Sequence, residues 1–519
     1  MFNGTLTLIT QVLPESVEAL ARLLQGMDQR IEAGEPHPFD GMEIVHFAHW
    51  AILGLPPRGA PNARPAGKCY LLLGADLCLP GDPPRRARLE ATVEQFVAAL
   101  AARRASPGVA LFDELYRHCV GYPTAGLSQP RAVKEYLLCN AVDYLARHVD
   151  FAYRVTTVKG VREIMRLRGD AERFLDAPSL RPRLEDLSPS QVHEALRYHV
   201  AENASLLSDP DWDRRLAAAR FKAARSTALL ALPGIALALV LKAAAKLRRK
   251  RPPSERIVVP DAAREEIEAR EYPVQNSMIL VTAIPDGWLA RHKQRFFLRL
   301  VNLRLQRNVV GLNDIRTIHC ARWVPFDRDG EKQLIFMVAY DESWDAYIDS
   351  FVDNEDVCAF LKAIWSPTRG FPQSKPFVEP FKQWIRSVQC PTRAWYSAYR
   401  HGKTPLPVGT AAGISVTDLH EALQLRRVLA RESLRGLRNL RERGAMKTYL
   451  EQGRFPFQQK LMGAGEVAFH ILAAPLSRLR LRLTGPGRTR HAELGKERAA
   501  RDFTLAPVAG AEVRPPSLS

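Results

Sequence analysis

The sequence predicts an α+β protein built from two tandem units of order βαββαβ, separated by an apolar segment and followed by a basic helical region. Three observations lead there: an ordered internal repeat, alternating strand and helix periods within each copy, and one long uncharged run near the middle of the chain. With 519 residues, the chain has room for roughly two to four domains. At 46% hydrophobic and 25% charged it has the composition of folded protein, which sets aside a wholly disordered chain.

The repeat is anchored on "VHFAHW" (45–50) and "IHCARW" (318–323). His46, Ala48 and Trp50 match His319, Ala321 and Trp323 at a constant offset of 273. Pro14 then answers Pro285, Lys68 and Ala75 answer Lys332 and Ala339, and Gly121-Tyr-Pro123 answers Gly370-Phe-Pro372. One such match is chance, but a series in the same order is a duplication.

Each element follows from its period. In the second copy, 277–284 is a short apolar strand, and 286–307 has apolar residues three and four apart, a helix. Segments 315–326 and 332–341 alternate as two strands joined by the turn "DRDG". A helix over 343–365, a short one over 376–388 and a strand over 392–399 close the unit. The first copy offers strands at 4–12, 42–53 and 68–76, helices over 15–33, 84–119 and 131–148, and a last strand at 151–158. The units span 1–158 and 276–401, with a helical linker at 159–225 and a second linker at 252–275.

This order is the ferredoxin-like one. In topology, the tandem resembles the dimeric α+β barrel group, which includes dye-decolourising peroxidases, chlorite dismutases and small monooxygenases. In that group two such sheets pack face to face, and the resemblance extends over roughly 300 residues but implies little about chemistry. The peroxidases of the group carry Gly-x-x-Asp-Gly over haem. Here the residue three before the Asp of each Asp-Gly is His37, Ala283 or Phe326, so the motif is missing.

The apolar run "TALLALPGIALALVLKAAAKLRRKR" lies at 227–251. Thr227–Leu241 is fifteen uncharged residues. As a helix it measures about 22 Å, short of a hydrocarbon core of roughly 30 Å. Basic residues flank both ends, so charge bias assigns no orientation. A single crossing would also part the two copies, and admits a working pair only if copies meet between chains, as a homo-oligomer. The segment 226–251 therefore reads as a membrane-dipping anchor kinked at Pro233-Gly234, with Leu229, Leu232, Ile235, Leu239 and Leu241 in contact with lipid.

The net charge of +18 favours a polyanion, and with this anchor an anionic lipid surface fits it. Nucleic acid is the weakest alternative, because no stacking platform accompanies the charge. The region 415–483 is basic and amphipathic, and periodicity fades beyond 484, where disorder is expected to 519. The N-terminus shows neither a basic n-region nor an apolar h-region, which points to membrane association at the cytoplasmic face. Seven scattered cysteines with no C-x-x-C read as reduced thiols.

Strand alternation puts His46 with Trp50, and His319 with Trp323, on one face. Turned inward, these four would line a space for a planar aromatic ligand, even haem on a His ligand. A His on a strand is more often a hydrogen-bonded core residue, and no metal-ligand spacing is present. Arg322 and Asp341 are candidates for a charge pair in the second copy alone. "HEALRYH" (193–199) has Arg197 where a zinc helix needs its second His, and "HGKTP" (401–405) lacks the first glycine of a phosphate loop. The sequence thus indicates a membrane-attached binding or scaffold protein, with an oxidoreductase acting on a hydrophobic substrate as the alternative.

Overall fold

The computed structural model describes residues 2–55, 67–177, 187–200, 271–284, 317–399 and 413–430 apart from short stretches within them, and a few residues of 294–302 and 443–447. The chain is α+β with two antiparallel sheets. Its first half runs β1 (Phe2–Gln11), α1 (Val17–Glu32), β2 (Val45–Leu53), β3 (Tyr70–Leu79), α2 (Arg88–Ala101), α3 (Pro107–Arg117), α4 (Pro130–Asn140) and β4 (Ala146–Val149). Then come α5 (Phe151–Val155), α6 (Val158–Leu175) and α7 (Pro189–His199). The second half has β5 (Asn276–Ala283), β6 (Ile318–Arg328), β7 (Glu331–Tyr340), α8 (Trp344–Asp353), α9 (Val378–Val388), β8 (Gln389–Cys390) and β9 (Arg393–Ser397), followed by α10 (Val416–Leu429).

The last strand of each half is shared between the sheets. In the first half, Ala141 bridges Leu8 of β1, and the chain then pairs β4 with β6 of the other half. In the second half, β8 adds to β5, the chain turns at Pro391, and β9 pairs with β2. The sheet orders are therefore β1-β3-β2-β9 and β4-β6-β7-β5-β8. Each seam between the sheets is bridged by a strand that starts on one and ends on the other, so the halves are interlocked through backbone hydrogen bonds. The repeat also shows in the backbone, since Gly121 and Gly370 both take left-handed φ angles of 75° and 76° that a side chain would strain.

Three elements differ from expectation, and the first is the helix expected over 84–119, which is broken into α2 and α3. The helix expected over 131–148 stops at Asn140, because 141–149 is drawn into strand pairing on both sheets. The strand expected at 151–158 lies earlier, at 146–149, and 151–155 is helical. Asp150 caps that turn by accepting from the Ala152 N–H, a local bond that outweighs the β-branched and aromatic content of the run. The Ser188 N-cap of α7 forms a full capping box with Gln191.

Three layers of core result. Between the sheets lie Ile9, Ala51, Leu53, Leu72, Ile279, Val324, Ile335 and Met337, drawn from six strands. Outside the first sheet, α1–α4 cover a cluster that includes Trp50, Phe39 and Phe96, and outside the second, α8 and α9 cover one built on Trp323, Trp344 and Trp384. Both faces being covered, all nine residues of β2 are buried. A further cluster joins α6 and α7 to α10 through Leu167, Leu196, Leu425 and Val428. Among the described residues no helix is long and apolar enough to cross a membrane. The run 226–251 with Leu229, Leu232, Ile235, Leu239 and Leu241, and the tail beyond 447, lie outside the described residues.

Candidate functional site

The register of both central strands slips at the repeated histidine. β2 shifts against β3 between Val45 and Phe47, and β6 against β7 between Ile318 and Cys320, so His46 and His319 are each the extra residue of a β-bulge. A bulge re-aims the side chain it inserts. His46 Nδ1 is hydrogen-bonded to the Tyr399 hydroxyl, and His319 Nδ1 to the Tyr153 hydroxyl at 2.7 Å. Tyr153, in α5, follows β4 and Tyr399 follows β9, so each tyrosine lies just beyond the shared strand that seals a seam. The two phenol rings lie 5.8 Å apart at the junction of the halves. All four side chains are buried.

The second pair is more elaborate. His319 Nε2 lies 2.7 Å from Asp341 Oδ1, and Asp341 Oδ2 accepts from the Val416 N–H at the start of α10. His46 Nε2 has no hydrogen-bond partner. Burial pulls the His46 imidazole down to about 3, with Asp76 opposing and Arg147 assisting. Burial likewise pushes both tyrosines well above the usual phenol range.

Deeper between the sheets, Arg322 donates to Asp76 at 3.1 Å and to the carbonyls of Ala75 at 3.0 Å and Leu6 at 3.3 Å. Cys320 Sγ also donates to Asp76. Although burial opposes it, the Arg322 charge with that of Arg147 holds the Asp76 carboxyl below its ordinary value. The expected pairing of Arg322 with Asp341 is corrected here: Arg322 stands on β6 and Asp341 just follows β7, and they serve Asp76 and His319 respectively. Its counterpart His49 also points inward, hydrogen-bonded to Ser277 at 2.8 Å across the gap and stacked on Trp395.

Gly74 is the glycine this packing requires. A Cβ there would come within 2.5 Å of His49 Nε2 and 3.0 Å of Met337 Sδ. With His49 held by Ser277 and Trp395 it has no room to step aside, so Gly74→Ala should lower stability by about 1–3 kcal/mol in urea unfolding. An unchanged midpoint would show that the two sheets have slack between them.

The other sequence candidates separate. Trp50 stacks on Phe39 at 5.0 Å and Trp323 packs on Phe336 at 4.8 Å, each on the helix side of its own sheet. The bulges thus part the histidines from the tryptophans, which do not share a lining face with them. Between the sheets the space is filled by side chains, and both nitrogens of His319 are engaged, so His319 is not free to ligate a haem. Among the described residues no cluster of His, Cys, Asp or Glu is set to hold a metal ion. An external cavity of about 60 Å³ lies beside Asp28, Glu271, Asn276, Tyr340 and Trp395, room for water-sized occupants.

Sequence reasoning missed the tyrosines and Asp76. The tyrosines carry a signal: Ala-Tyr-Arg recurs at 152–154 and 398–400, in step with the other repeat anchors. Asp76 carries none: strand register makes the apolar Ala339 its equivalent in the other copy, one place off the sequence match of Ala339 to Ala75. Comparison with protein-family models, curated proteins and solved structures finds no match for this chain, so its function must be argued from this geometry.

Proposed function

We propose that the chain is a membrane-attached binding or scaffold protein: a duplicated ferredoxin-like core, arranged like an α+β barrel and tethered to anionic lipid through 226–251. The observation that carries the reading is the strand exchange. Because β4 and β9 each close onto the sheet of the other half, α7 before the apolar run and β5 after it belong to one interlocked body. An apolar segment joining two points of one body must leave and return on the same side of a bilayer. That favours a shallow dip at Pro233-Gly234, with basic flanks meeting headgroups on one face, and needs no second chain. The apolar packing between the sheets favours binding on outer surfaces of the core over binding inside it.

Deleting 226–245 should move the protein from the membrane fraction to the supernatant while its melting transition stays in place. An intact chain that stays in the supernatant without detergent would remove the anchor. Protease cutting of one half only, in sealed vesicles, would remove the interlocked body on one side.

A further inference from the structure

We propose that Tyr153, His319 and Asp341 form a proton-coupled one-electron relay, in which Tyr153 is the residue oxidised. The relay goes beyond a binding or scaffold role and does not depend on membrane attachment. A buried phenol gives up an electron readily only if its proton leaves at the same time, because the phenol cation is a strong acid and the surroundings penalise charge. Tyr153 has the acceptor in place, with His319 Nδ1 at 2.7 Å. The Asp341 carboxylate takes the Nε2–H on the far side at 2.7 Å, which leaves Nδ1 bare and steadies the imidazolium that forms.

The step balances. Tyr153 gives one electron to an outer-sphere one-electron oxidant, its O–H bond breaks, and an N–H bond forms at His319 Nδ1. The products are a neutral phenoxyl, an imidazolium paired with Asp341 and the reduced oxidant; return of the electron reverses both transfers.

An electron route to the surface is present. Trp395 borders the external cavity and stacks on Phe47 at 5.8 Å with the rings 2° from parallel. Phe47 lies 5.4 Å from Tyr153 and 5.1 Å from His319. The Tyr399–His46 pair is the duplicated copy, but no carboxylate is hydrogen-bonded to His46 Nε2, so a proton arriving there meets only the unbonded charge of Asp76, opposed by burial and Arg147. The two copies have therefore diverged, and the hole settles on Tyr153.

The test is photo-oxidation of the full chain with a ruthenium polypyridyl complex and a sacrificial acceptor, read by electron paramagnetic resonance. A persistent tyrosyl signal is expected, lost in Tyr153→Phe and in His319→Gln, and retained in Tyr399→Phe. Two results would overturn the relay: a signal undiminished in Tyr153→Phe, or one in the folded protein no longer-lived than in the urea-unfolded chain. Should Tyr153→Phe fail to fold, the unsubstituted protein grown with ¹⁵N-histidine decides. Coupling of the radical to an imidazole nitrogen supports the relay, and its absence overturns it.

Discussion

Lowering the pH from about 7 to about 4 should unfold this protein, with two net protons taken up in the transition. Burial pulls His46 and His49 down to about 3, and His148 to about 4, with Arg322 assisting at His49 and Arg154 at His148. Each folded pKa lies below the unfolded value of 6.5, so within that window the unfolded chain binds the proton and the folded chain does not. Their stability contribution is full above 6.5 and is lost as the pH falls toward the folded values. Asp28 acts the other way: burial raises it to about 6, so the folded state takes up its proton first. Three protons against one leave a net loss of roughly 3 kcal/mol per pH unit, or about 7 kcal/mol by pH 4. Losses of that size consume most of the stability of an ordinary domain. Urea midpoints measured at intervals across this range check the slope, and His49→Gln should reduce it by about one proton. A midpoint that is flat between pH 6.5 and 4.5 would mean that these imidazoles open to water without unfolding.

The parts of the fold that local pattern controls were legible. Period-two runs placed the strands β2, β3, β5, β6 and β7 to within a few residues, and repeat anchors such as Gly121 and Gly370 mark equivalent turns. What escaped is set by contacts far apart in the chain. β4 is a strand because β6, over 170 residues later, offers an edge to it, and nothing in "ARHV" announces that partner. The face of His46 was misread for a different reason. Strict alternation assumes no bulge, and a bulge depends on how the facing strand is registered. Once the slip at His46 and His319 is included, the same alternation correctly sends His49 and Arg322 inward and Trp50 and Trp323 outward. The Tyr–His pairs were half-visible, since the repeated Ala-Tyr-Arg was there to be counted, but which side chain each tyrosine would meet depends on the exchange of strands between halves.

Arg322→Ala should cost about 3–5 kcal/mol, because it strands a buried carboxylate rather than merely deleting a contact. Asp76 is 7% exposed, and its remaining direct partner would be the Cys320 thiol. Arg322 also ties the two sheets together: it stands on β6 yet donates to Leu6 on β1 and Ala75 on β3. Lysine should not restore this, since a single ammonium cannot reach a carboxylate and two carbonyls with the geometry of a guanidinium fork. Removing both charges is a different matter. Arg322→Met combined with Asp76→Ala removes the ion pair whole rather than leaving half of it buried, and Ala339 already occupies the equivalent place on β7 opposite Cys320. The double variant should therefore recover stability relative to Arg322→Met alone, giving a coupling of at least about 2 kcal/mol in a double-mutant cycle. Urea unfolding of the four proteins measures it. If the single changes simply add, Asp76 is solvated or held by Arg147 instead, and the clamp between the sheets is apolar packing around Ile335 and Met337 rather than this ion pair.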